Sequence, residues 1–150
     1  IEAFNSSNLK NTKLLIVGNT SADIDVKNYS ENESIIFKHE LKNEDVKYLM
    51  SKSKAIVMGS ISYEGHPVIL SESLASNTIL IYPSFSGLNE LMPSNYKFSY
   101  KHNNPNDLAK VLNLLENNEI YKENKTLLNK FNIENYNEKV FFNQFEITIN

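Results

Sequence analysis

The chain has 150 residues, the length of one domain and enough to bury roughly two-thirds of its unfolded surface. Its fifteen basic residues are all lysines; they are interspersed with eighteen acids for a net charge of −3, which excludes a nucleic-acid stripe or a polybasic membrane patch. Cysteine is absent, so disulfides, thiolate nucleophiles and Cys-ligated metals are excluded, and with no signal peptide or membrane-length apolar run the expectation is a soluble, cytoplasmic domain.

In chain order, the predicted strands are Lys13–Val17, Ser34–Phe37, Lys54–Met58, Thr78–Tyr82 and Tyr96–Tyr100. They are short, mostly apolar and β-branched in places, as strands covered on both faces are. Amphipathic stretches alternate with them. Asn43–Lys52 sets Val46, Leu49 and Met50 on one helical face, and Pro67–Ser76 opens on a proline in its first turn. Asp107–Asn117 repeats Leu108, Val111, Leu112 and Leu115 at helical spacing behind the start signal Asn104-Pro105-Asn106. Two more helices are predicted near Glu119–Asn132 and Glu134–Phe142. Alternating strands and helices predict one α/β domain over residues 1–150. It has a doubly wound, Rossmann-like parallel sheet, helices on both faces and the C-terminal helices over it. Ligands of such a sheet lie at the carboxyl ends of the strands, where Gly18, Glu64 and Gly87 fall.

The segment Glu64-Gly65-His66-Pro67-Val68-Ile69-Leu70-Ser71-Glu72 spans the loop after the Lys54–Met58 strand and the start of the next helix. Glu64 lies in the loop and Glu72 about one turn inside the helix. A helix N-terminus offers free backbone N–H groups and a positive dipole to phosphates, while carboxylates accept hydrogen bonds from hydroxyls. That combination suits a sugar nucleotide. Two carboxylates also suggest glycoside hydrolysis, but one of these acids sits inside a helix and no water-activating partner is evident. His39, His66 and His102 have no ligand spacing with one another or with acids, so no metal site is indicated. A receiver-like signalling domain needs an acid at the end of its central strand, where Val57-Met58-Gly59-Ser60 has none; the Asp23/Asp25 pair lies past its strand.

The same stretch resembles the second domain of the retaining glycosyltransferases of group 1, glycosyltransferase family 4, which have the two-domain GT-B fold. That family carries a Glu-x7-Glu motif followed by a small-residue helix segment, here Glu64 to Glu72 and then Ser73-Leu74-Ala75. Its next strand and Gly-x-x-Glu helix start are matched by Asn77–Tyr82 and Gly87-Leu88-Asn89-Glu90, and its strand ending in Val-Gly by Lys13–Gly18. The likeness runs from residue 1 to about residue 143. It implies the donor-binding half of an enzyme that moves a hexose from a nucleoside-diphosphate sugar, a UDP-sugar first and a GDP-sugar second, to a polysaccharide or glycolipid acceptor. No metal or other cofactor is implied. Ile1-Glu2-Ala3-Phe4 resembles the end of that domain's first helix, so the expectation is a chain lacking the acceptor domain, the first strand and part of the first helix, together with a basic Arg/Lys pair that neutralises the diphosphate. Any membrane association would come through those missing parts.

By the resemblance, Glu64 faces the donor hexose and is the catalytic-site carboxylate, and Glu72 accepts hydrogen bonds from the ribose hydroxyls. The bland alternatives are a solvated loop acid and a helix acid paired to a lysine. Gly65, His66 and Val68 would present backbone N–H groups to the β-phosphate, while Pro67 has none to give. Leu41 would touch the base, with Lys42 or Asn43 at the ribose edge, although His39 stands where the family has glycine. Gly18 would permit close approach of the ligand or a tight turn, Ser86-Gly87-Leu88 would near the sugar, and Glu90 would steady that loop. A non-catalytic nucleotide-sugar binding module is the competing class.

Overall fold

The computed structural model describes residues 1–18, 32–59, 67–85 and 87–135. The described residues form, in chain order, α1 (Glu2–Asn5), β1 (Leu14–Val17), β2 (Ile35–Lys38), α2 (Asn43–Lys52), β3 (Ala55–Val57), α3 (Val68–Ala75), β4 (Ile79–Ser84), β5 (Ser99–Lys101), α4 (Pro105–Asn113) and α5 (Asn118–Asn135). Short 3₁₀ turns cover Asn89–Leu91 and Leu114–Glu116. All strand pairs are parallel, as the alternation predicts.

The described strands form two sheets, β1-β2 and β3-β4-β5. Leu14 pairs with Ile35 in the first, and Ile56 with Leu80 in the second; β5 joins β4 further along, with Tyr82 opposite Ser99. Strand β4 is central to its sheet, and Ile79, Leu80 and Ile81 are fully buried, each worth about 1.5–3 kcal/mol of transfer free energy. Burial on both faces was the expectation for the other apolar strands too, yet Leu14, Leu15 and Ile16 of β1 and all of β3 are only half-buried. Among the described residues each of these strands has a neighbour on one edge alone.

The helices pack in two groups: α1 lies against α4, which also covers β5, while α3 and α5 pack together and against β4. Leu70 and Leu74 of α3, Leu128 of α5, and Ala109 and Leu112 of α4 join Phe98 and the β4 residues in one core. Helix α2 has the predicted bounds. Helix α4 starts earlier than predicted, because Asn104 caps it by accepting the Asp107 N–H at 2.9 Å with Pro105 at the first helical position. Pro67 is the residue that caps α3, extended at φ −70° and ψ 135°, rather than the first helical residue. The predicted break between Asn132 and Glu134 is absent, since α5 runs unbroken to Asn135; the rest of the last predicted helix lies outside the described residues.

Candidate functional site

Strand β1 ends at Gly18, whose N–H donates to the Lys38 carbonyl at 3.1 Å and closes the β1-β2 ladder. The backbone there turns at φ +136°, a conformation that L side chains rarely adopt, while a Cβ would meet nothing within 4 Å. Backbone conformation, not crowding, demands the glycine. Beside it Val17 is 37% exposed. Leu41, half-buried, follows β2 in the segment that leads into α2.

The end of β3 is held from two sides. The Met58 N–H donates to the Ile81 carbonyl at 2.8 Å, and the Tyr100 hydroxyl donates to the Met58 carbonyl at 2.9 Å. Burial pushes the Tyr100 phenol above its ordinary range. Gly59 comes next, exposed and with open space where a Cβ would stand. Residues 60–66 lie outside the described residues, and with them Glu64, Gly65 and His66.

Helix α3 begins after buried Pro67, whose carbonyl accepts the Leu70 N–H at 3.0 Å. Among the described residues no side chain caps the helix, and no acid occupies its first turn. The first amides of α3 therefore have no intrahelical partner and no anionic neighbour in that turn, at the positive end of the dipole. Val68, at the first position, is 71% exposed. Glu72 stands four residues on, on the same helical face and roughly 6 Å along the axis. Its side chain is half-buried, and no hydrogen bond or ion pair reaches its carboxylate among the described residues. The lysine pairing offered as an alternative for Glu72 is thus not seen there. A half-buried carboxylate with free acceptor oxygens can take donors from a ligand's hydroxyls.

After β4, Gly87 turns at φ +93° ahead of the 3₁₀ turn. Asn89 ties this loop, its amide donating to the Ser84 hydroxyl at 3.0 Å, a role expected of Glu90. Ser86 lies outside the described residues. Phe85, which sequence reasoning passed over, and His102, weighed there only as a metal ligand, meet edge-on at 5.0 Å after the ends of β4 and β5.

The far end of α3 is also engaged. Its last turn leads to Asn77 at φ +48°, and the Lys125 ammonium of α5 donates to the Asn77 carbonyl. Burial lowers the pKa of Lys125. Asn132, about two turns further along the same face of α5, donates to the Leu74 carbonyl at 3.2 Å. Neither residue drew notice in the sequence, because their partners are remote in the chain.

A cavity of about 340 Å³ lies elsewhere, lined by Phe4, Asn5, Asn11, Lys13, Asn32 and Ser34. These residues precede β1 and β2, so it sits at the amino ends of the strands, away from α3's first turn. Among the described residues no cluster of three or more acids or histidines could hold a metal, and no helix is long and apolar enough to cross a membrane.

Residues 1–135 match the model of the family described as glycosyl transferases group 1. The chain belongs to that family. Solved structures agree in fold. Anabaena HepE, crystallised with UDP and glucose, superposes with a TM-score of 0.78 at 14% identity over 99% of this chain and 42% of that one. A glycosyltransferase from Rickettsia africae gives 0.77 at 19% identity over 97% and 41%, and TarM gives 0.72 at 20% over 97% and 30%. At such identities the likeness speaks for the fold alone. It agrees with the Rossmann-like α/β class read from the sequence. The chain spans less than half the length of each of these three proteins. No curated protein matches it.

Proposed function

We propose that the chain is the donor-binding half of a retaining glycosyltransferase that moves a hexose from a nucleoside-diphosphate sugar, a UDP-sugar first, to a polysaccharide or glycolipid acceptor. The observation that carries this reading is α3: a helix start that, among the described residues, has no side-chain cap, with exposed Val68, and Glu72, without a partner among those residues, one turn behind it on the same face. The diphosphate would lie against the first amides of α3, and the ribose hydroxyls would donate to Glu72. Gly18 and Leu41 would border the nucleotide from β1 and the segment after β2. Glu64, with Gly65 and His66, would meet the sugar and β-phosphate from the loop before Pro67.

As the acceptor hydroxyl attacks on the face the leaving group vacates, negative charge gathers on the departing phosphate. Amides fixed in position towards that oxygen stabilise the transition state more than the ground state. The reading asks for no metal. Support for UDP comes from the shared fold with HepE, whose crystal structure holds UDP and glucose. An acceptor domain would close the other side of the cleft, and the partial spans against the three solved structures support its lying in a longer protein. The half-buried apolar residues of β1 and β3 support a further strand beside them. The work would be done in the cytoplasm, at the inner face of a membrane if the rest of the protein binds there.

Ligand-observed NMR with UDP, GDP and ADP, repeated on Glu72→Ala, tests the reading. Selective binding of one nucleotide that is lost in the variant supports it. Binding that survives the substitution removes Glu72 from the site. Turnover by the longer protein separates an enzyme from a nucleotide-sugar binding module without chemistry.

A further inference from the structure

We infer that Lys125 and Asn132 of α5 are positioning residues for α3, setting the rotation and axial height at which its first amides meet a ligand. This rests on the reading of α3 as the phosphate-facing helix.

The two contacts converge on the carboxyl end of α3. Asn132 takes the Leu74 carbonyl at 3.2 Å, and the Lys125 ammonium takes the carbonyl of Asn77, the left-handed residue that ends the helical turn. Carbonyls at a helix C-terminus lack intrahelical donors and form the negative end of the dipole, so a cation and an amide suit them. Within the same turn Ser76 and Asn77 donate back to Glu72 and Leu74. Leu74 therefore accepts both from its own turn and from α5.

These contacts matter for the other end because, among the described residues, the directional bonds that reach the end of α3 from outside its own turn are these two and that of the Thr78 N–H to the Ser73 carbonyl at 2.9 Å. Its buried face is Leu70, Ser73 and Leu74, and Ser73 spends its hydroxyl on its own helix, donating to the Leu70 carbonyl at 2.7 Å. Apolar contact is non-directional: it holds a helix against a sheet but resists sliding or rolling weakly. Hydrogen bonds to named carbonyls are directional and fix both. With eight residues α3 is about 12 Å long and stiff, so a roll at Leu74 reappears at Val68. Among the described residues no side chain caps its amino end. The exposed 130–134 pair, Lys130 with Glu134 at 3.8 Å, lies on the same helix, makes no hydrogen bond to α3 among the described residues, and serves as the control.

The test uses the 150-residue chain and the variants Lys125→Met, Asn132→Ala and Lys125→Arg, with Lys130→Met as control. Amide hydrogen exchange is read at Glu72–Ala75 of α3 and at Leu80–Tyr82 of β4, and UDP affinity is measured alongside. The expected result is exchange at least tenfold faster in α3 for Lys125→Met and Asn132→Ala, with β4 and the control unchanged and partial recovery in Lys125→Arg. UDP binding should weaken about five- to tenfold in step. Unchanged exchange in α3 overturns the inference, and so does equal acceleration in β4, which would mean general destabilisation. Faster α3 exchange with undiminished UDP affinity overturns the link to binding. If the unmodified chain binds none of UDP, GDP and ADP, the proposed function fails, while the exchange measurement still decides whether α5 pins α3.

Discussion

The hydroxyl of Tyr96 donates to the Leu80 carbonyl at 2.9 Å and accepts the Leu80 N–H at 3.0 Å. One side chain thus satisfies both backbone groups of a residue that is fully buried in the central strand. Strand β5 pairs with β4 only from Tyr82 onward, so at Leu80 that edge has no strand opposite it, and Tyr96 stands in for one. Replacing Tyr96 by Phe keeps the ring's stacking on Tyr82 but leaves a buried donor and acceptor unpaired. We expect a loss of about 2–4 kcal/mol in urea unfolding. A loss below about 0.5 kcal/mol would mean that water replaces the hydroxyl.

Burial raises the pKa of Tyr96, and to a lesser extent those of Tyr82, Tyr100 and Tyr121, above the ordinary value of 10.0. Above pH 10 the unfolded chain releases phenolic protons that the folded chain retains, so stability falls as pH rises. Below pH 10 both states keep these protons and the contribution is complete. The melting temperature should therefore be insensitive to these groups from pH 7 to 9.5 and drop above pH 10, with less drop in Tyr96→Phe. An equal alkaline drop in that variant would assign the effect to other groups.

Glu72→Ala should separate binding from folding. The carboxylate is half-buried without a partner among the described residues, so its removal should change stability by less than about 0.5 kcal/mol. On the proposed function it should weaken nucleotide binding about tenfold, the scale of one or two hydrogen bonds to a charged acceptor. Glu64→Ala should instead reduce only the affinity gained from the sugar. Calorimetry with UDP and a UDP-hexose distinguishes the two, and equal affinities in all three proteins would move the site elsewhere.

Gly18→Ala should cost about 1 kcal/mol or more, because its φ of +136° is strained for any residue with a Cβ. Space is not the obstacle, so the damage should stay local. Chemical shifts should change around Gly18 and Lys38, whose N–H to carbonyl bond closes the ladder, and not in β4. Changes spread through β4 would refute the local account.

Asn104→Ala removes the side-chain oxygen that caps α4 and should cost about 1 kcal/mol in thermal or urea unfolding. Asn104→Ser should recover most of it. A loss in Asn104→Ser as large as in alanine would show that something other than the cap was removed.

The parts of the fold that could be read in the sequence are those whose signal is local. Asn43–Lys52 is a helix with the predicted bounds because its apolar positions repeat at helical spacing. The predicted strand Tyr96–Tyr100 shrinks to Ser99–Lys101 because Tyr96 reaches Leu80 with its side chain instead of its backbone. The predicted helices Glu119–Asn132 and Glu134–Phe142 meet in one helix that runs to Asn135, and the Asn132 amide within it donates to the Leu74 carbonyl. In the site, Val68 and Glu72 could be placed on one helical face from spacing alone. That Glu72 lacks a partner among the described residues could not.

By itself the sequence determined the alternation of short apolar strands and amphipathic helices, the parallel α/β class that follows, and the Glu64-to-Glu72 spacing on which the family resemblance was read. Each depends on residues within one or two turns of each other, where spacing translates directly into a face or a strand. Only the tertiary structure decided what closes the edge of β4 at Leu80 and which residues of α5 grip the end of α3. Lys125 and Asn132 lie 48 and 58 positions from the carbonyls they bind. Contacts of that kind arise where packed elements meet, and no local periodicity records them.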